Sequence, residues 1–256
     1  MRKIFLLFVV ALAAGCGPKE EVSLKSEPVT ESAPAVFAAV DSATVGLVKG
    51  KVFFDGQVPE PKMMSVKGNP ECAAFHQGGT IASEELVSSG GLLQNVFVYV
   101  KQGLEGRTFA PPATPVTISN KSCVYAPHVS GARVGQPIEF FNQDSTLHNI
   151  HSYPKNAKPF NLGLPLVGMK QVKKFDAPEV MVPLKCDVHP WMLGYIGILP
   201  HPYFGVTAAD GVFELKDLPP GDYVIEAWHE KLGAQTQNIT LGPQETKELE
   251  FRFAAV

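Results

Sequence analysis

Turn-forming residues interrupt this chain so often that long helices have little room to form. Asp55-Gly56, Pro111-Pro112, Gly131, Gly135, Asp210-Gly211 and Pro219-Pro220-Gly221 separate apolar runs of only a few residues each. Glycine supplies the backbone angles of tight turns, and proline neither continues a helix nor donates to a sheet ladder, so such punctuation favours short strands. With 23 glycines and 22 prolines among 256 residues, yet 45% hydrophobic residues to build a core, the expected class is all-β. A formal net charge of −3 leaves no basic surplus to grip phosphate backbones, so no nucleic-acid partner is expected.

The strands can be placed by alternation. Val45 to Gly56 reads as one, and Asn95 to Lys101 as another, with Val96, Val98 and Val100 on one face and Phe97 and Tyr99 on the other, a pattern suited to burial on both faces. Residues 57–94 between them are turn-rich, with at most a short helix near Pro70 to Phe75. Val116 to Ser119, Val124 to Val134 and Ile138 to Phe141 read as a β meander. Phe213 and Leu215 open a hairpin that turns at Pro219-Pro220-Gly221 and returns through Tyr223 to Trp228; Ile239, Leu241, Leu249, Phe251 and Phe253 complete the set.

At the N-terminus, Arg2 and Lys3 precede an apolar run from Ile4 to Ala14 that is too short to span a bilayer but suits an export signal. Ala13, Ala14 and Gly15 then lead into Cys16, and this resembles the bacterial lipoprotein lipobox. The resemblance implies cleavage of a 1–15 signal peptide, lipidation of Cys16, and a membrane-anchored protein facing the periplasm or cell surface. Gly17 in place of an aspartate implies the outer rather than the inner membrane. Residues 16–44, rich in proline, serine and acids, read as a flexible tether.

Thiols in an oxidising compartment tend to pair. With Cys16 set aside, Cys72, Cys123 and Cys186 remain. Two readings stand for the first two: a Cys72–Cys123 disulfide, or a second metal site built from Cys72, His76, Cys123 and His128.

Cys186 has other neighbours. Cys186, His189 and Met192 follow one another at three-residue spacings, and His148, at the end of the Ile138 to Phe141 segment, can add a second imidazole from another loop. One thiolate, two imidazoles and a distant thioether are the donor set of electron-transfer copper sites. His151 stands at an odd offset from His148 and would face away.

Tyr125-x-Pro127, Val134-Gly135, Phe140-x-Asn142-x-Asp144, His148-Asn149 and the Cys186 to Met192 loop together resemble the cupredoxins, the small blue copper proteins, with a loop most similar to that of amicyanin. The resemblance covers about residues 112–200 and implies a Greek-key β-sandwich with one mononuclear type 1 copper. His148, Cys186 and His189 would be strong ligands, Met192 a weak axial one and Asn149 a tie between the two ligand loops. An exposed edge of His189, framed by Pro190 and Trp191, would exchange electrons with a c-type cytochrome or a periplasmic oxidoreductase.

The Gly50 to Gly56 strand, Asp210-Gly-x-Phe213 and Leu218-Pro-Pro-Gly221-x-Tyr223 resemble the carboxypeptidase regulatory-like, or transthyretin-like, β-sandwich. That implies a discontinuous domain, 45–110 with 201–256, packed against a cupredoxin domain at 111–200. Two other functions are compatible with the same donors. A copper-delivery or sensing lipoprotein would pass the metal on, and a copper-dependent oxidoreductase would need a further open copper. An electron carrier, not an enzyme, is the expected class.

Overall fold

The computed structural model describes residues 40–254, so the leader, Cys16 and the tether up to residue 39 lie outside the described residues. The described chain is a set of β-sheets with one short α-helix, Pro70–Phe75, and it contains no helix long and apolar enough to cross a membrane.

The sheets form two sandwiches. In the first, the Gly46–Asp55 strand pairs antiparallel with Val212–Leu218 and parallel with Thr246–Ala254. A facing sheet runs in the order Phe204–Val206, Phe97–Gln102, Gly221–His229, Gly233–Leu241. Val48, Val52, Phe213, Leu215, Leu249 and Phe251 from one sheet meet Val98, Val100, Ile225, Ala227 and Ile239 from the other in one core. The expected 213–228 hairpin is not formed: Val212–Leu218 and Gly221–His229 lie in different sheets, and Pro219-Pro220 carries the chain across the core between them.

In the second sandwich one sheet has the order Lys170–Lys173, Ile138–Asn142, Val116–Lys121, Val124–Ala126. The other has the order Asn161–Leu164, His148–Ser152, Glu179–Lys185, Leu193–Leu199, Val129–Arg133. The meander expected over 116–141 is therefore corrected. Val116–Lys121 and Ile138–Asn142 are parallel neighbours, and the single strand expected from Val124 to Val134 breaks at the cis Ala126–Pro127 bond. Its second half, Val129–Arg133, joins the opposite sheet beside Leu193–Leu199. A proline with no N–H to give suits that crossing point.

A third cluster joins the sandwiches. Phe97 and Tyr99, on the face of their strand opposite the valines, pack with Val129, Met181 and Leu199. Phe97 lies over Gly131 and Gly197, which are register partners on adjacent strands. A Cβ on Gly197 would come within 2.5 Å of the Phe97 ring, and one on Gly131 within 2.7 Å of it, so the two glycines make the floor on which that ring sits.

At the polar margin of this junction His128 bonds the Glu230 carboxylate, with Glu84 3.8 Å from its other nitrogen. Burial alone would lower the His128 pKa, but the hydrogen bond to Glu230 and the two carboxylate charges raise it above the ordinary value. The sign follows: the stabilisation is complete below an unfolded-state pKa of about 6.5 and is lost as pH rises through the higher folded value. Denaturant midpoints of the wild type are expected to fall relative to those of His128→Gln between mildly acidic and alkaline pH. Parallel profiles would contradict the assignment.

The domain boundaries need one revision. Residues 63–82, read from sequence as part of the first sandwich, pack on the second: Val66, Cys72 and Ile81 share the core of Tyr125, Phe140, Ile150, Cys186 and Met192. The physical reason is the disulfide Cys72–Cys123 (S–S 2.04 Å), which ties this segment to the hairpin turn after Val116–Lys121.

Candidate metal centre

The second sandwich delivers donors to one end. His148 opens the His148–Ser152 strand, and Cys186 directly follows Glu179–Lys185. Met192 directly precedes Leu193–Leu199, so the 186–192 loop joins two antiparallel strands paired through Lys185 and Leu193. The loop is closed by its own backbone: Met192 N–H donates to His189 O at 2.9 Å and Cys186 N–H to Met192 O at 3.3 Å.

His148, Cys186 and His189 bring one donor atom each to within 4.8 Å of one another, and all three side chains are buried. The Nδ1 atoms of His148 and His189 are 3.0 Å apart, and Cys186 Sγ is 3.7 Å from His189 Nδ1. Lone pairs aimed at a common point repel unless a proton or a cation lies among them. With Cys186 a neutral thiol that donates to Asn149 Oδ1, the proton arrangement of the metal-free chain is self-consistent. Asn69 Nδ2 donates to His189 Nε2 (2.7 Å), His189 Nδ1–H to His148 Nδ1, and His148 Nε2–H to Asp144 Oδ2 (2.9 Å).

Burial alone would raise the Cys186 pKa, but hydrogen bonds with His148 and His189 outweigh it and bring the thiol down to about 6. A neighbouring pair of imidazoles thus favours the thiolate, the form that ligates metals. One thiolate sulfur and two imidazole nitrogens, shielded from water, fit a borderline or soft transition metal rather than magnesium or calcium, which select oxygen.

Asn149 joins the two ligand loops. Its Oδ1 accepts from Asp187 N–H at 2.8 Å and from Cys186 Sγ–H at 3.2 Å, while its Nδ2 donates to Asp187 Oδ2 and Asn161 Oδ1 at 2.8 Å. Met192 is buried in the same apolar core as Cys186. His151 lies outside the donor group, 3.1 Å from the Asp187 carboxylate.

One expectation is overturned, and of the two readings of Cys72 and Cys123 the disulfide is the one formed. The His189 edge is not exposed: the residue is 1% accessible, closed off by Asn69 and by Cys72 Sγ, 3.7 Å from Nε2. Of the expected frame, Pro190 is exposed and Trp191 half-buried, its ring 5.1 Å from that of His189 and its Nε1–H donating to Cys123 O at 3.0 Å. The alternative four-ligand site at Cys72, His76, Cys123 and His128 does not form. Both sulfurs are committed to the disulfide, His76 Nε2 donates to Ser122 O at 2.8 Å, and His128 faces Glu230.

Sequence reading missed Asn69 and the role of Asp144. Asn69-Pro70 is a legible helix start, an N-cap before a proline at the first helical position. Its contact with a histidine 120 positions away carries no local signal.

No family model and no curated protein matches the chain. Among solved structures, a copper-containing nitrite reductase from Thermus scotoductus SA-01 is similar at 24% identity and a TM-score of 0.33, over 40% of this chain. The match spans only 26% of that enzyme's length. A purple cupredoxin from Nitrosopumilus maritimus is similar at 26% identity and a TM-score of 0.28, over 32% of this chain and 98% of its own. An oxidised mutant of amicyanin is similar at 13% identity and a TM-score of 0.30, over 40% of this chain and 97% of its own.

Proposed function

We propose that the chain is a membrane-tethered type 1 copper protein that carries single electrons between exported redox partners. The observation that supports this most is the convergence of two Nδ1 atoms and one thiol sulfur in a buried cluster whose cysteine shares an apolar core with Met192. Copper, when bound there, would supply one-electron chemistry. His148, Cys186 and His189 would hold it, with Met192 as the weak fourth donor.

The protein's part is to keep those donors still. His148 is held by Asp144 from behind, Cys186 and the Asp187 amide are held by Asn149, and the 186–192 loop is braced by two strands. Ligands that cannot move far hold both oxidation states in nearly one geometry, which keeps the rearrangement on electron transfer small. Apolar packing around Cys186 excludes water, and the hydrogen bonds around the donors tune the potential.

Lipidation at Cys16 would tether the carrier to a membrane, with outer-membrane placement following from Gly17. The first sandwich, similar to a carboxypeptidase regulatory-like module, would serve as a scaffold. A c-type cytochrome or a periplasmic oxidoreductase would be the partner, reached through Pro190 and Trp191 because His189 itself is covered.

Copper(II) added to the soluble 40–256 fragment tests the reading: one equivalent per chain and an intense visible band with reversible one-electron redox are expected. Rapid copper transfer to an acceptor without reversible redox would favour delivery instead, and a second copper with substrate turnover would favour an oxidoreductase. Met192→Gln is expected to keep the colour and lower the reduction potential, because a harder oxygen donor in place of the thioether would favour copper(II). An unchanged potential would remove Met192 from the ligand set.

A further inference from the structure

The outer nitrogens of both candidate imidazole ligands are held by groups anchored on the two halves of a single disulfide. On one side, Cys123 and Ser122 form a two-residue hairpin turn between Lys121 and Val124, with φ of +57° and +54° respectively. Such turns normally take Asn-Gly, because side chains resist positive φ. Here Asp144 stabilises the turn: its Oδ1 accepts from Ser122 N–H at 2.7 Å and its Oδ2 from Cys123 N–H at 2.8 Å. The same Oδ2 accepts from His148 Nε2–H at 2.9 Å, and Asp144 is only 2% exposed.

On the other side, Asn69 caps the Pro70–Phe75 helix by accepting Cys72 N–H at 3.0 Å, and its Nδ2 donates to His189 Nε2 at 2.7 Å. Cys72 Sγ itself lies 3.7 Å from that nitrogen. Trp191 adds a third tie from the ligand loop to Cys123.

We propose that the Cys72–Cys123 disulfide is the frame that orients the metal centre, with Asp144 and Asn69 as positioning residues for His148 and His189. This rests on the metal-centre reading above, but its geometry can be tested without metal. Without the crosslink, the 70–75 helix and the 121–124 turn are tied only through side chains, and both imidazoles lose a fixed partner for Nε2. Loss of such outer-shell partners typically lowers metal affinity about 10–100-fold.

The test compares the wild type with Cys72→Ser/Cys123→Ser, Asp144→Ala, Asp144→Asn and Asn69→Ala. In metal-free protein, imidazole nitrogen NMR is expected to place the His148 proton on Nε2 and the His189 proton on Nδ1 in the wild type. Asp144→Asn keeps an oxygen acceptor and should preserve the His148 assignment; Asp144→Ala should mix its two tautomers, and the double serine variant should mix those of both rings. In copper-loaded protein, competition with a chelator should show about 10–100-fold weaker binding for the double serine variant. Adding Asp144→Ala or Asn69→Ala to that variant should weaken binding by less than either does alone in the wild type, since both act through one frame.

Wild-type tautomers and wild-type affinity in the double serine variant would overturn the proposal. Should that variant not fold, identical His148 tautomers in Asp144→Ala and Asp144→Asn would overturn it equally. A wild-type chain that gives these tautomers but no sulfur-to-copper band would refute the copper reading and leave the frame standing.

Discussion

Cys186→Ala is expected to abolish the intense visible absorption of the copper-loaded protein, lowering it by more than about tenfold while the fold persists, because the band arises from the thiolate-to-metal bond. The side chain is buried, so truncation leaves a small void and costs about 1–2 kcal/mol, too little to unfold a domain of this size. His148 and His189 would still offer two nitrogens, and weak, pale binding of copper(II) is the expected residue of the site. Visible spectra of the loaded wild type and variant, with circular dichroism as the fold control, decide it. A variant as intensely coloured as the wild type would mean that sulfur is not a ligand.

The second large effect is on stability. Gly197→Ala is expected to cost about 3 kcal/mol, because its Cβ would meet the Phe97 ring at 2.5 Å and Met181 Cε at 2.9 Å, both on buried, sheet-held residues. Phe97→Ala removes the obstructing ring and itself costs about 3–5 kcal/mol through the cavity it leaves. In that background Gly197→Ala should cost under about 1 kcal/mol, so the two changes are strongly non-additive. Urea midpoints of the four proteins measure the coupling. Additive costs would mean that Phe97 does not rest on the Gly197 floor, and the account of how the sandwiches are joined would fail.

Where local pattern decides the structure, the sequence could be read. The Val96 to Val100 alternation anticipates a strand with two buried faces: its valines enter the first core while Phe97 and Tyr99 enter the junction. The all-β class follows from the same short-range logic of strands and turn residues, and the described chain is built of sheets. Asn69-Pro70 and Phe75 bound the short helix where turn-rich sequence left room for one.

What pattern could not reveal is which strand lies beside which. Thr246–Ala254 alternates like any edge partner, and nothing local says that it runs parallel to Gly46–Asp55 almost two hundred residues earlier. The expected meander and 213–228 hairpin differ from the structure for the same reason: turn residues mark where the chain bends but not whether it stays in the sheet. At the metal end, the donor residues stand close enough in sequence to be grouped by their chemistry. The cover over His189 does not, since Asn69 and Cys72 are brought to it from far away in sequence by core packing and the crosslink to Cys123, and the expected open edge is closed as a result.

X-ray absorption at the copper edge of the loaded 40–256 fragment reads the ligand set itself. One short copper–sulfur distance and two copper–nitrogen distances per metal are expected, with the sulfur contribution lost in Cys186→Ala. A first shell of nitrogen and oxygen alone in the wild type would contradict that ligand set.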